Sequence, residues 1–337
     1  MKEAIKVACV QAAPIYMDLE ATVDKTIELM EEAARNNARL IAFPETWIPG
    51  YPWFLWLDSP AWAMQFVRQY HENSLELDGP QAKRISDAAK RLGIMVTLGM
   101  SERVGGTLYI SQWFIGDNGD TIGARRKLKP TFVERTLFGE GDGSSLAVFE
   151  TSVGRLGGLC CWEHLQPLTK YALYAQNEEI HCAAWPSFSL YPNAAKALGP
   201  DVNVAASRIY AVEGQCFVLA SCALVSQSMI DMLCTDDEKH ALLLAGGGHS
   251  RIIGPDGGDL VAPLAENEEG ILYANLDPGV RILAKMAADP AGHYSRPDIT
   301  RLLIDRSPKL PVVEIEGDLR PYALGKASET GAQLEEI

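Results

Sequence analysis

Three stretches of the chain hold residues that could together build a reactive thiol. The first, Gly157–His164 (GGLCCWEH), ends an apolar run in two adjacent cysteines and follows them at once with aromatic and charged residues. A strand that runs out at Trp162-Glu163-His164 and meets a helix near Pro167 puts one cysteine in a strand-to-helix turn, where backbone N–H groups and the helix dipole favour a thiolate. The plainer alternative is a core strand that uses cysteines as small hydrophobes. A metal or redox site is not expected. Cys161 and His164 have a Cys-x-x-His spacing, but no second Cys-x-x-Cys or His-x-x-x-His pair completes a tetrahedral set, and the Cys-x-x-Cys redox spacing is absent.

A cysteine nucleophile needs a base for its proton and a cation or N–H pair for the charge that develops on the substrate. His164, His181 and His249 are candidate bases, but His164 lies three residues from Cys161 in a tight turn with no evident orienting partner. Glu45 is the carboxylate alternative. It follows Pro44 at the end of the apolar strand ARLIAFPE and is walled by the aromatics of FPETWIPGYPWFLW. Desolvation there would raise its pKa toward that of a general base. The cation would come from ARRKLKPTFVER, five basic residues and one Glu, which by default reads as a solvated basic face. Lys127 and Lys129 fall on the same face of an extended strand, and spacing alone does not choose between them.

The elements that must position these groups follow from periodicity. EAIKVACVQAAP reads as a strand, and Leu19, Val23, Ile27, Met30 and Ala34 mark an amphipathic helix after it. ARLIAFPE is continuously apolar, the pattern of a sheet interior whose carboxyl end is a usual ligand position. Residues 60–92 read as mainly helical, followed by strands IMVTLGMSE and TLYISQWFIG and, after the Asn-Gly turn at 117–120, TIGARRKL. The plan then repeats: LAVFETSVGRLGGLCCW as strand, turn and strand, a helix from about Pro167, the strand EIHCAAWP, the helix DVNVAASRIYAVEG, the strand CFVLASCAL, and HSRIIGPDGGDLVAPL as a hairpin. Such an order of β-α-β units and hairpins predicts an α/β fold of two sheets covered by helices in one domain, residues 1–306, with a tail at 307–337 that is disordered or packs on a neighbouring subunit.

Composition bounds the function. The 337 residues carry 30 Lys+Arg against 44 Asp+Glu, a formal net charge of -14. That acidity disfavours nucleic-acid and anionic-membrane partners. No signal-peptide or membrane-spanning run appears, and seven cysteines scattered through apolar segments suit reduced thiols, so a soluble, cytoplasmic protein is expected. AGGGHS lacks the Gly-Lys-Ser/Thr of a phosphate loop, and Gly-x-Ser-x-Gly is absent.

Together, FPETWIPGYP, RRKLKPTFVER and GLCCWEH, with AAWPSFS, SRIYAVEGQCFVLAS and DPAGHYSRPD in the same order, resemble the nitrilase superfamily and its Glu-Lys-Cys triad, over roughly nine-tenths of the chain. The resemblance implies an α-β-β-α sandwich of two mixed sheets flanked by helices, dimerising and building higher homo-oligomers or spirals through C-terminal segments. It selects Lys127, directly after the arginine, and Cys161, directly before Trp-Glu, and it matches Glu134 to a second glutamate near the sulfur. The implied reaction is hydrolysis of an organic nitrile through a thioimidate and a thioester, with Lys127 and the backbone N–H of Trp162 stabilising the developing nitrogen anion and no metal or organic cofactor. Trp56, Thr131, Phe138, Pro186, Phe188 and Leu190 are expected to line the pocket beside Trp162, and their apolar bias suggests an aryl, arylaliphatic or medium aliphatic nitrile. Cyanide dihydratase or hydratase, and amidase or carbamoylase chemistry, are the nearest rivals.

Overall fold

The computed structural model describes residues 1–192, 194–310 and 312. Seven strands make the first sheet: β1 (Ile5–Gln11), β2 (Leu40–Ala42), β3 (Met95–Val104), β4 (Thr107–Ile115), β5 (Thr121–Arg126) and β6 (Phe138–Gly139), joined late in the chain by Gly270–Leu276. The second holds β7 (Phe149–Thr151), β8 (Gly154–Cys160), β9 (Ile180–Trp185), β10 (Phe217–Cys222) and β11 (Arg251–Ile253), so Gly270–Leu276 is β12. Neighbours run β12-β1-β2-β3-β4-β5 in one sheet, with β6 beside β4, and β11-β10-β9-β8-β7 in the other. Both are mixed: β1, β2 and β3 are parallel, as are β8, β9 and β10, while β12, β4, β5, β7 and β11 pair antiparallel and the short β6 runs parallel to β4.

Each sheet buries both faces, which is why its strands read as continuous apolar runs. Along β1, Val7 and Cys9 face the second sheet and pack with Leu156, Cys182, Phe217 and Leu219. Ala8 and Val10 point the other way, against Val23 and Met30 of the helix Leu19–Arg35 and Ile85 of the helix Pro80–Leu92. On the far side, Leu159, Ala183 and Val218 meet Leu173 of the helix Pro167–Tyr174 and Tyr210 of the helix Pro200–Gly214. The layers are therefore α-β-β-α. Local chemistry fixes the helix ends: Asp18 accepts from the Ala21 amide at one N-terminus, and Gly93, in the left-handed conformation at φ 61, closes another helix where a side chain would be strained.

One element differs from its expectation. HSRIIGPDGGDLVAPL is not a full hairpin, because after β11 only one isolated bridge, Ile253↔Asp259, forms across the turn. Residues 60–92 are mainly helical as expected, in two helices, Pro60–Glu72 and Pro80–Leu92, separated by a segment whose Leu75 bridges to Glu102. Late in the chain, β12 returns to the first sheet and pairs antiparallel with β1 along its whole length. Met1–Ser307 is one compact unit. Most of the 307–337 tail, and with it the expected role in oligomer contacts, lies outside the described residues.

Candidate active site

The carboxyl ends of the central strands of both sheets meet at one point. Glu45 follows β2, and its amide donates to the carbonyl of Trp185 at the end of β9 over 3.3 Å, so the residue is tied across both sheets. Gly99 in β3 makes room for it: a Cβ there would stand 1.9 Å from the Pro44 carbonyl oxygen and 2.9 Å from the Glu45 Cα. No side chain fits.

Strand alternation sorts the basic cluster. Arg125 and Lys127 point inward and are fully buried, whereas Arg126 points outward to a bidentate pair with Glu102. The expectation that Lys127 and Lys129 share a face is corrected, because β5 ends at Arg126 and the chain turns; Lys129 is half exposed and pairs with Glu140. Lys127 Nζ instead donates to Glu45 Oε1 at 2.9 Å and Glu134 Oε2 at 2.8 Å. Burial works against its charge, but the two carboxylates hold its pKa well above the usual lysine value.

Both glutamates are buried, with different bonding. Glu134 Oε2 also accepts from the Thr131 amide at 2.6 Å, and its Oε1 from the Tyr51 hydroxyl at 2.6 Å, so both its oxygens are engaged. Glu45 Oε2 has no hydrogen-bond partner among the described residues. Burial drives the Glu45 pKa upward, opposed chiefly by Lys127. That unpartnered oxygen is the one group in the cluster ready to accept a proton.

Cys161 opens a short 3-10 turn directly after β8, at φ 47. A non-glycine residue in that left-handed region is strained by about 1–2 kcal/mol, so the surroundings must hold it there. Burial and Glu45 push its thiol pKa up, while Lys127 and the backbone N–H of Trp162 pull it down. The site thus stores a neutral thiol beside its base and stabilises the thiolate through a cation and an amide. Cys160, its neighbour, is wholly buried in apolar packing with Leu190 and Leu224.

Glu163 locks two of the pieces together. Its carboxylate accepts from Arg125 Nη1 at 2.8 Å and Nη2 at 2.7 Å, from the Leu128 amide at 2.9 Å and from the Cys160 amide at 2.8 Å. One buried ion pair therefore fixes the backbone beside Lys127 and beside Cys161. Burial would raise the Glu163 pKa, yet Arg125 and the amides hold it below the ordinary value. Such a pair is strong only because its bonds are complete.

The cleft above the sulfur, with about 400 Å³ of open space, is bounded by Trp56, Thr131, Trp162, Pro186, Phe188 and Leu190, as well as by Tyr51, Glu134 and Cys161. It widens past Trp56, Thr131, Trp162 and Leu198 into an outer hollow of about 1130 Å³ bearing Lys129, Phe132 and Arg135. Phe138 is placed elsewhere. It sits in β6, pairs with Leu108 and packs edge-on to Tyr70 at 6.1 Å, because β6 carries it beneath the wall. Sequence reasoning passed over Tyr51, Trp53 and Asn203, which also face the cleft; Asn203 Oδ1 holds the Trp162 indole N–H at 3.1 Å. Only the aromatic density around Glu45 hinted at Tyr51.

All seven cysteines are unpaired. Among the described residues no group of His, Cys, Asp and Glu is arranged to hold a metal ion, and no helix is long and apolar enough to cross a membrane.

The carbon–nitrogen hydrolase family model matches residues 6–285. The chain is 69% identical over 315 residues to a nitrilase of Pseudomonas syringae pv. syringae (strain B728a), covering 94% of each chain. It is 51% identical to an aliphatic nitrilase of Rhodococcus rhodochrous, covering 91% of this chain and 84% of the relative. In fold it is similar to the carbon–nitrogen hydrolase of Helicobacter pylori G27, with a TM-score of 0.68 at 19% identity over 89% of this chain and 100% of that one.

Proposed function

The chain belongs to the carbon–nitrogen hydrolase family, and from that premise we propose that it is a nitrilase whose nucleophile is Cys161. The observation that carries the catalytic assignment is the division of labour at Glu45: one carboxylate oxygen is bound by Lys127 and the other is buried and unpartnered. That oxygen takes the proton of the Cys161 thiol. The sulfur attacks the nitrile carbon, an S–C bond forms as one C–N π bond breaks, and the proton passes to nitrogen to give a thioimidate. Lys127 and the Trp162 N–H stabilise the negative charge that develops on nitrogen. Water then adds, ammonia leaves, and a thioester remains. A second water, deprotonated by Glu45, releases the carboxylic acid and restores the thiol.

Glu134 acts through Lys127 and the Thr131 amide, which it holds in place while Tyr51 occupies its remaining oxygen. The aromatic and aliphatic walls of the cleft suit a nitrile with an aryl, arylaliphatic or medium aliphatic substituent rather than cyanide, whose single heavy-atom pair would leave most of that apolar surface unfilled. We place the protein in the cytoplasm, where its seven unpaired thiols would stay reduced. We also assign residues 1–306 to one catalytic domain, with the 307–337 tail serving contacts in a homodimer that builds larger assemblies or spirals.

The test is incubation of purified protein with benzonitrile, phenylacetonitrile, an aliphatic dinitrile, cyanide and the matching amides, with ammonia and organic products quantified. Acid and ammonia from organic nitriles are expected. Ammonia from amides or cyanide and none from any organic nitrile would defeat the assignment.

A further inference from the structure

Behind the nucleophile, on the side away from the cleft, lies a second cluster of buried titratable groups that the reaction above does not use. His164 Nδ1 is 2.6 Å from the carbonyl oxygen of Cys161, and His164 Nε2 is 2.9 Å from His181 Nε2. His181 Nδ1 is 2.8 Å from Glu178 Oε1, and the Tyr210 hydroxyl donates to Glu178 Oε2 at 2.5 Å. None of the four side chains is more than 1% exposed.

We infer that Glu178, His181 and His164 are positioning residues for the nucleophile, forming a buried uncharged chain in which hydrogen donation runs one way, from the Glu178 carboxyl to the Cys161 carbonyl, and holds Cys161 in its left-handed conformation. Each link forces the next. A carbonyl only accepts, so His164 carries its proton on Nδ1, and in a neutral imidazole its Nε2 is then an acceptor. His181 must donate from Nε2, which leaves Nδ1 as an acceptor, and Glu178 must supply the proton on Oε1. The carbonyl oxygen left on Glu178, Oε2, is the atom that Tyr210 meets.

The surroundings are built to this pattern. In the β8–β9 register Gly157 lies opposite His181, and a Cβ at Gly157 would stand 2.1 Å from Glu178 Oε1, so the bare glycine opens the space the carboxyl occupies. The His164 ring stacks on Trp185 with centroids 4.8 Å apart, and the His181 ring on Tyr210 at 3.6 Å, which fixes both ring planes. Two guanidiniums lie near the chain: Arg281 donates to the Glu178 backbone carbonyl at 3.0 Å and to Asn177 Oδ1 at 2.7 Å and pairs with Glu179, while Arg125 spends its charge on Glu163. Burial holds both imidazoles well below the usual histidine value and pushes Glu178 up to about 8, in keeping with a chain that carries no charge at neutral pH.

The inference rests on Cys161 being the nucleophile, and its test uses the full chain with two readouts: kcat and KM for a hydrolysed nitrile, and the rate of Cys161 alkylation by iodoacetamide. His164→Leu and Glu178→Leu, checked for folding by circular dichroism, are expected to lower kcat and the alkylation rate fivefold or more while KM moves less than threefold. His164→Asn, whose amide N–H can reach the same carbonyl, and Glu178→Gln, which keeps one donor and one acceptor, are expected to restore both rates to within fivefold of the original. Leucine variants within fivefold of the original in both rates would overturn the positioning role. A fivefold or greater loss in folded Glu178→Gln would overturn the uncharged chain, and that variant decides the matter if the leucine variants do not fold. If the unaltered protein hydrolyses no nitrile, the proposed activity fails while the alkylation rates still judge the chain.

Discussion

Lys127 and Glu45 are joined at 2.9 Å with neither side chain exposed to solvent, and only one of the two glutamate oxygens takes part. The pair is more than a buried salt bridge. Desolvation opposes the charge on either group, and each offsets part of that cost for the other. The cost of burying them is offset by Glu134, which gives Lys127 a second carboxylate, and the remaining Glu45 oxygen is left as a base beside a thiol. Removing the cation should therefore uncouple both glutamates. Lys127→Met is expected to lower kcat by about 100- to 1,000-fold, as loss of a transition-state charge partner does, while Lys129→Met, at the half-exposed Glu140 pair, changes it less than threefold. Steady-state kinetics on the two variants checks this, and the opposite ranking would refute the choice of lysine.

The glycine packed against the backbone of the catalytic glutamate should matter as much as a side chain in the cleft. Gly99→Ala puts a methyl group 1.9 Å from the Pro44 carbonyl, a collision that only movement of the Glu45 segment can relieve. Shifts of that kind, near 1 Å, cost catalysis about 100-fold. The expected result is a folded variant whose kcat has dropped on that scale, measured beside its melting temperature.

Glu163 binds the backbone next to Lys127 and next to Cys161, so its loss should strike stability and activity together. Glu163→Gln leaves Arg125 buried with an uncompensated charge, a change worth about 3–5 kcal/mol. A urea unfolding midpoint that falls accordingly supports the lock; a midpoint unchanged within error would mean that the ion pair is dispensable.

The buried carboxyl of Glu178 gives a pH signature with a definite sign. Its pKa rises from 4.5 in the unfolded chain to about 8 in the fold, so the native state holds a proton that the unfolded state has lost over that window. Stability from this group is complete below about pH 4.5 and is lost as pH rises toward 8, with a slope on the order of 1 kcal/mol per pH unit. Glu178→Gln removes the titration. The melting temperature of the variant, relative to that of the unaltered protein, is expected to climb steadily between pH 5 and pH 8, and a difference that stays flat would show that Glu178 is charged in the fold.

These relationships were unequally legible in the sequence. The apolar runs and turn signals located ten of the strands because both sheets bury both faces, and Glu45, the basic cluster and the cysteine doublet could be placed at strand ends. The choice of Lys127 over Lys129 was closed to spacing, since it depends on β5 stopping at Arg126. His164 had no visible partner because its partner, His181, arrives by the β8–β9 register, in which Gly157 faces His181. Phe138 was misplaced for a similar reason: its neighbourhood is set by pairing with Leu108 rather than by nearness to the motif. Pairwise register between distant segments leaves little trace in composition or periodicity.

Cys161, and not Cys160 beside it, is expected to form the covalent bond to the substrate. Acid quenching during turnover of a nitrile, followed by peptide mass spectrometry, reads the modified sulfur directly. An acyl or imidoyl adduct is expected on the peptide carrying the doublet, retained in Cys160→Ala and absent in Cys161→Ala. An adduct that survives Cys161→Ala, or that maps to Cys160, would contradict it.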